Sequence, residues 1–243
     1  MTEYYLSDNV VIYDGKYYKN NNLVLEKNWH KQLNVLGWSK LDKSWILRLN
    51  NFKKEKGNSR WGVYNIEDNG DCFFSCIAEA LNNNYYLNDN KRIVEVSDIR
   101  HNISKGINEN NFNSIIEIYK IEQLCGEFRH KWNIDSIKTY KNLQEELTKL
   151  GHNYWADHVV IQLFQKVYNM NLIILNKSNN IKHTKIYSLF SDINPNKDTI
   201  ILYYIEQSHF QLIGYFTNNH FKTIFKYEEL PYEILKIYNI DCR

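Results

Sequence analysis

The chain has 243 residues, 30 basic against 28 acidic side chains for a net charge of +2, and 43% hydrophobic residues. That length and apolarity suffice for one sizeable core, and so small a net charge supplies no general drive toward nucleic acid or an anionic membrane. Four cysteines, Cys72, Cys76, Cys125 and Cys242, are too sparse for a disulfide framework and predict a reducing, cytoplasmic setting. No apolar run approaches membrane-spanning length, and the opening Met-Thr-Glu-Tyr-Tyr does not read as a secretory signal.

Residues 1–60 read as an N-terminal extension packed on the core. Within them, Val10-Val11-Ile12-Tyr13, the pair Asp14-Gly15 and Lys16-Tyr17-Tyr18 predict a β-hairpin with a tight turn. Trp29, Leu33, Leu36, Trp38, Trp45 and Leu47 add a large apolar load. Structural padding and a substrate-binding arm are both readings of this segment. The asparagine runs at 20–22 and 82–84 read as loop tips, and Lys53-Lys54-Glu55-Lys56 as a solvated face.

Residues 61–218 read as the main domain. Trp61 to Ile66 lead into Asn69-Gly70-Asp71-Cys72, and Phe73, Ile77, Ala80 and Leu81 then recur at helical spacing. A helix starts near Ser97 or Asp98, with Ile99 and Ile103 inward. Two further helices are predicted over 111–130 and 135–150, the second ended by Gly151. Asp157 caps a helix over 157–169 whose inner stripe is Val160, Leu163, Phe164 and Val167. Residues 172–175 read as a buried strand. Residues 200–205 and 209–216 read as a hairpin across a three-residue loop, with His209 opening its second strand. Residues 219–243 form a tail with a short helix near 232–238.

The chemistry-bearing segment is the turn that runs into Cys72. A cysteine at a helix N-terminus meets unpaired N–H groups and the positive end of the helix dipole, which favour a thiolate. A thiolate is the nucleophile of covalent acyl chemistry. It needs an imidazole base, a polar group that orients the imidazole, and backbone donors for an oxyanion. The backbone of Gly70, Asp71 and Cys72 is the candidate donor set. Among eight histidines His209 is the best base. His152 and His158 are weaker, His220 reads as a surface residue, and His30, His101, His130 and His183 as surface or structural residues.

Four ordered landmarks carry a resemblance: Asn-Gly-Asp-Cys-Phe-Phe at 69–74, Val-Ser-Asp-Ile-Arg at 96–100, Tyr-Trp-Ala-Asp at 154–157 and His-Phe-Gln-Leu-Ile at 209–213. Their order and spacing resemble the ovarian-tumour (OTU) family of cysteine proteases over residues 60–217. The resemblance implies an α+β, papain-like fold, a small mixed sheet packed against helices, and cleavage of ubiquitin from proteins or polyubiquitin chains. The family pattern has Asp where this chain has Asn69, and often Asp or Asn where it has Gln211. Asn69 and Gln211 are therefore the two candidates for orienting His209, and Trp155, Phe74 and Phe210 are candidates for lining the substrate groove. Packing is the alternative reading of Trp155 and Phe74.

Three rivals are weighed. A zinc site using Cys72 and Cys76 lacks a second pair of ligands, so neither metal nor cofactor is expected. A ubiquitin-binding module of the same fold with weak or absent turnover is the second. A single-strand nucleic-acid binder, suggested by abundant Lys and Tyr, conflicts with the charge balance. The expected protein is a monomer that binds ubiquitin, without nucleic-acid or membrane partners.

Overall fold

The computed structural model describes residues 3–50, 59–87, 93–176, 186–187, 193–205 and 209–237. The lysine-rich run at 53–56, His183, the hairpin loop at 206–208 and Cys242 lie outside these. The chain opens with an antiparallel sheet of β1 (Glu3–Ser7), β2 (Val10–Tyr13), β3 (Lys16–Lys19) and β4 (Asn22–Leu23). Asp14 and Gly15 both take positive φ, as the tight turn between β2 and β3 requires. Next come α1 (Trp29–Gln32), β5 (Trp38–Lys40), α2 (Lys43–Leu49) and β6 (Trp61–Tyr64). The helical middle contains α3 (Cys72–Leu87), α4 (Val96–Ser104), α5 (Glu109–Cys125), α6 (Tyr140–Thr148) and α7 (His158–Val167). The rest is β7 (Asn171–Asn176), β8 (Ile186–Tyr187), β9 (Thr199–Ile205), β10 (His209–Thr217), β11 (His220–Lys222), β12 (Ile224–Phe225) and α8 (Tyr232–Ile237).

The class is α+β. The main sheet has the order β5-β6-β10-β9-β7-β8, with β11 on β10 and β12 on β9. Among the described strands only β7 and β9 run parallel; the β9–β10 hairpin pairs His209 with Ile205 and Gln211 with Tyr203. Strand alternation sorts the side chains between two cores. Leu172, Ile174, Ile200, Leu202, Phe210 and Leu212 face the helices α3, α4, α6 and α7. Ile173, Leu175, Ile201, Tyr203 and Ile213 face α2 and α8. Burial on both faces explains why the runs at 172–175 and 200–205 are continuously apolar.

The first forty residues are tied to this sheet. Trp38 of β5 stacks on Phe221 of β11 with centroids 3.6 Å apart, and Val10, Ile12, Tyr17, Trp29 and Phe216 complete a third core. Gly62 and Gly214 pair directly across β6 and β10 beneath those rings. A Cβ on Gly214 would stand 2.7 Å from the Trp38 ring, and one on Gly62 2.8 Å from Phe221, so only glycine admits the stack. Residues 38–40 of the predicted extension are thus an edge strand of the main sheet.

Several predicted details change. The asparagine run at 82–84 is helix, not a loop tip. Asn82 donates to the Val94 carbonyl and accepts from its N–H, and Asn83 accepts from the Tyr17 hydroxyl at 2.9 Å. Buried asparagine satisfied this way looks identical in sequence to exposed asparagine. Glu95, not Ser97 or Asp98, is the N-cap of α4, with Asp98 completing a reciprocal capping box. The helix predicted over 111–130 stops at Cys125, where Gly126 adopts a left-handed conformation. The one predicted over 135–150 is a single tight turn at Ile134–Ser136 followed by α6, because Thr139 caps a new start. Helix α7 begins after Asp157, whose carboxylate accepts from the Val160 N–H, but Val167 of the predicted inner stripe is 38% exposed. His220 is not a surface residue: it is 2% exposed and stacks on Tyr17 at 5.1 Å.

Candidate active site

Helix α3 and strand β10 set the site between them. Phe73 in the first turn of α3 packs edge-on against Phe210, the second residue of β10, with centroids 5.5 Å apart. That contact holds Cys72 and His209, the first residue of each element, against one another. The Cys72 sulfur, a His209 ring nitrogen and a carboxylate oxygen of Asp68 all lie within 4.8 Å of each other. Asp68 Oδ1 is 3.8 Å from His209 Nδ1, which is buried and accepts or donates no hydrogen bond among the described residues. Cys72 is 3% exposed. Burial pushes its thiol up from the ordinary range, and the Asp68 charge adds to this. Backbone N–H groups of Phe210 and Phe73 pull the other way and lose. The backbone donors expected to favour a thiolate at the helix start therefore do not offset the burial of the sulfur.

The turn before Cys72 is fixed from below. Arg100 of α4 is completely buried, and its Nε donates to Asp71 Oδ1 at 2.6 Å. Its two terminal nitrogens donate to the carbonyls of Leu147, Gly151, Tyr154 and Gly70. Its guanidinium lies 3.9 Å from the Phe74 ring centroid. The other Asp71 oxygen accepts from the Gly151 N–H at 2.8 Å. Gly70, at φ +86°, lets the turn touch the loop after α6: a Cβ there would sit 2.5 Å from the Gly151 carbonyl carbon and the His152 nitrogen. One charge pair thus joins the nucleophile turn to the segment that carries Trp155.

A cleft of about 670 Å³ opens over Cys72, with Gly70, Phe73, Trp155, Tyr204 and Phe210 in its lining. Its charged lining residues are Glu122, Glu127, Arg129, Lys131 and Asp157, together with His130. The sequence does not mark these charged groups as a site, because Glu122 lies on a mostly polar helix and His130 in the polar string Arg129-His130-Lys131. His130 Nδ1 accepts from the Trp155 N–H at 3.2 Å. Its proton is therefore on Nε2, donated to Asp157 Oδ2 at 3.0 Å. Burial, then the Asp157 charge, raises the Glu122 carboxyl above its usual range. With its Nε2 lone pair absent, His130 is not a metal ligand, although Glu122, His130 and Asp157 are close enough to suggest one.

The predicted site residues separate into groups. Cys72 and His209 are brought together; Trp155 and Phe210 line the cleft. Phe74 does not: it is fully buried beneath Arg100, so its groove assignment is corrected to packing. Asn69 does not reach His209, because its side-chain oxygen accepts the Asp71 N–H at 3.0 Å. That bond also removes the Asp71 N–H from the predicted oxyanion donors, leaving those of Gly70 and Cys72. Gln211 is bonded elsewhere: its amide donates to Asn65 Oδ1 at 2.5 Å, and no hydrogen bond joins it to His209. Asp68, four residues before the cysteine, is the carboxylate beside the imidazole. Neither periodicity nor the family pattern marks that position. Cys76, one turn along α3, is wholly buried in the core.

No protein-family profile and no curated protein matches the chain. In structure it is similar to solved OTU domains. One, an OTU domain in complex with ubiquitin, is 18% identical over 74% of this chain and 86% of its own, with a TM-score of 0.43. An OTU deubiquitinase of Wolbachia pipientis wMel bound to ubiquitin is 12% identical over 63% and 95%, at 0.41. The viral OTU domain protease of Dera Ghazi Khan virus is 11% identical over 63% and 80%, at 0.38.

Proposed function

We propose that the chain is a thiol-dependent deubiquitinase, with Cys72 as nucleophile and His209 as general base. The observation that carries the reading is the seating of a helix-opening cysteine against a strand-opening histidine at the floor of a cleft. The choice of ubiquitin rests on the four ordered sequence landmarks of the OTU type. In the reaction His209 takes the Cys72 proton as sulfur attacks the carbonyl of an isopeptide bond. The N–H groups of Gly70 and Cys72 are the available donors for the oxyanion. The imidazolium, stabilised by the Asp68 carboxylate, returns the proton to the leaving lysine amine. Water then attacks the thioester with His209 as base, releasing the carboxylate and the thiol.

The test is cleavage of a panel of di-ubiquitins by wild type, Cys72→Ala and His209→Ala, with a ubiquitin probe that alkylates an active-site thiol. Turnover and probe coupling by wild type alone support the reading. Binding of di-ubiquitin without cleavage or coupling would instead support a binding module. No binding at all would refute both.

A further inference from the structure

Among the described residues two clusters carry metal-binding side-chain types, one lining the cleft and one meeting it at Cys72, and their chemistry differs. At Glu122, His130 and Asp157 the imidazole nitrogen nearest the carboxylate carries a proton, as derived above. At Asp68, Cys72 and His209 the Nδ1 nitrogen is buried and takes part in no hydrogen bond among the described residues. Its lone pair is available if the tautomer places the proton on Nε2. The three groups are a thiol, an imidazole and a carboxylate, the ligand types of a zinc ion. Magnesium and calcium prefer oxygen ligands alone.

We propose that Cys72, His209 and Asp68 form a zinc-binding site with a fourth position open to water, in which the metal blocks the nucleophile reversibly. Tetrahedral zinc, with bonds of roughly 2.0–2.3 Å, needs its ligand atoms about 3.3–3.7 Å apart. The present separations are 3.8 Å between His209 and Asp68 and at most 4.8 Å within the set. Asp68 has a side chain 57% exposed and sits in the turn ahead of α3, so the remaining closure falls on the least buried of the three groups. Binding breaks the Cys72 S–H bond, forms a Zn–S bond and releases the proton to solvent. Neither sulfur nor metal changes oxidation state. The metal and a substrate carbonyl compete for the same sulfur, so zinc is expected to inhibit. Inhibition rests on Cys72 being the nucleophile; metal binding does not.

The experiment is titration of the full chain with Co²⁺ as a spectroscopic stand-in. Expected are an intense tetrahedral d–d spectrum and a thiolate-to-cobalt charge-transfer band, saturating at one equivalent and displaced by Zn²⁺ but not by Mg²⁺. Cys72→Ala should abolish the band. Asp68→Ala and His209→Ala should each weaken affinity by at least about tenfold, no less than losing an outer hydrogen-bond partner costs. Circular dichroism establishes that each variant is folded. In unmutated protein, Zn²⁺ should slow iodoacetamide alkylation at Cys72 while leaving the exposed Cys125 unaffected. An octahedral spectrum overturns the proposal. So does wild-type affinity in Asp68→Ala, or cobalt binding that survives in Cys72→Ala. An unchanged alkylation rate at Cys72 overturns it independently of every variant.

Discussion

Replacing Arg100 by Met tests the link between the nucleophile turn and the cleft loop. Methionine keeps most of the stem that packs on Phe74 and removes the charge. Asp71 is then left as a buried carboxylate with one partner, the Gly151 N–H. Stranding one member of a buried pair costs about 3–5 kcal/mol. Three of the abandoned carbonyls, those of Leu147, Gly151 and Tyr154, lie within 3.1 Å of the guanidinium. Any that water cannot reach adds roughly 1 kcal/mol. A loss of about 4 kcal/mol or more is therefore expected, a large part of the ~5–15 kcal/mol that holds a domain together. Urea unfolding of Arg100→Met, Asp71→Asn and the double variant gives a thermodynamic cycle. Since Asp71→Asn removes the stranded charge, the double variant should be less unstable than the sum of the singles by about 2 kcal/mol. Additivity within about 0.5 kcal/mol, or a loss below about 1 kcal/mol in Arg100→Met, would refute the clamp.

Other expectations concern single positions. Burial lowers the His220 pKa to about 3, whereas the unfolded chain titrates near 6.5. The unfolded state therefore binds the proton first, and stability should fall as pH drops from about 6.5 toward 3, by roughly 2 kcal/mol at pH 5. His220→Phe, which keeps the stack on Tyr17, should flatten that part of the pH profile; identical profiles for the two proteins would show that His220 is not the titrating group. Gly70→Ala should cost roughly 1–3 kcal/mol through its positive φ and the contact with Gly151. A Tm equal to wild type would mean the two loops are not in contact. If Asp68 supports the imidazolium, Asp68→Asn should lower kcat on di-ubiquitin about tenfold with little change in KM, while Gln211→Ala changes kcat less than twofold. The reverse ranking would return the orienting role to Gln211.

Where the sequence was informative, one local signal sufficed. The Asp14-Gly15 turn, the N-cap at Asp157, the buried apolar strands at 172–175 and 200–205 and the β9–β10 hairpin each follow from residues adjacent in the chain. The juxtaposition of Cys72 with His209 was inferred from ordered landmarks, because no local pattern reports a contact between residues so far apart. What stayed hidden depends on side-chain direction. Asn82 and Asn83 look like loop residues until their partners at Val94 and Tyr17 are in place. His220 sits in the polar string Asn218-Asn219-His220, yet its ring is covered by Tyr17. Phe74 and Phe73 are neighbours in an aromatic pair; one helical step points the first at Arg100 and the second at β10. Asp68 gains its place beside His209 only once the Gly70 turn has brought the start of α3 under β10.

The position of β10 in the main sheet also bears on how the protein is made. It lies between β6, from the first third of the chain, and β9, which directly precedes it. During synthesis the nucleophile leaves the ribosome long before the strand that carries its base. Until β10 inserts, β6 and β9 have no common neighbour, and the cleft over Cys72 lacks Phe210. Closing such distant strand pairings is slow compared with forming local helices. A nascent or truncated chain that stops short of β10 should therefore contain a folded Cys72 helix with no histidine seated beside it.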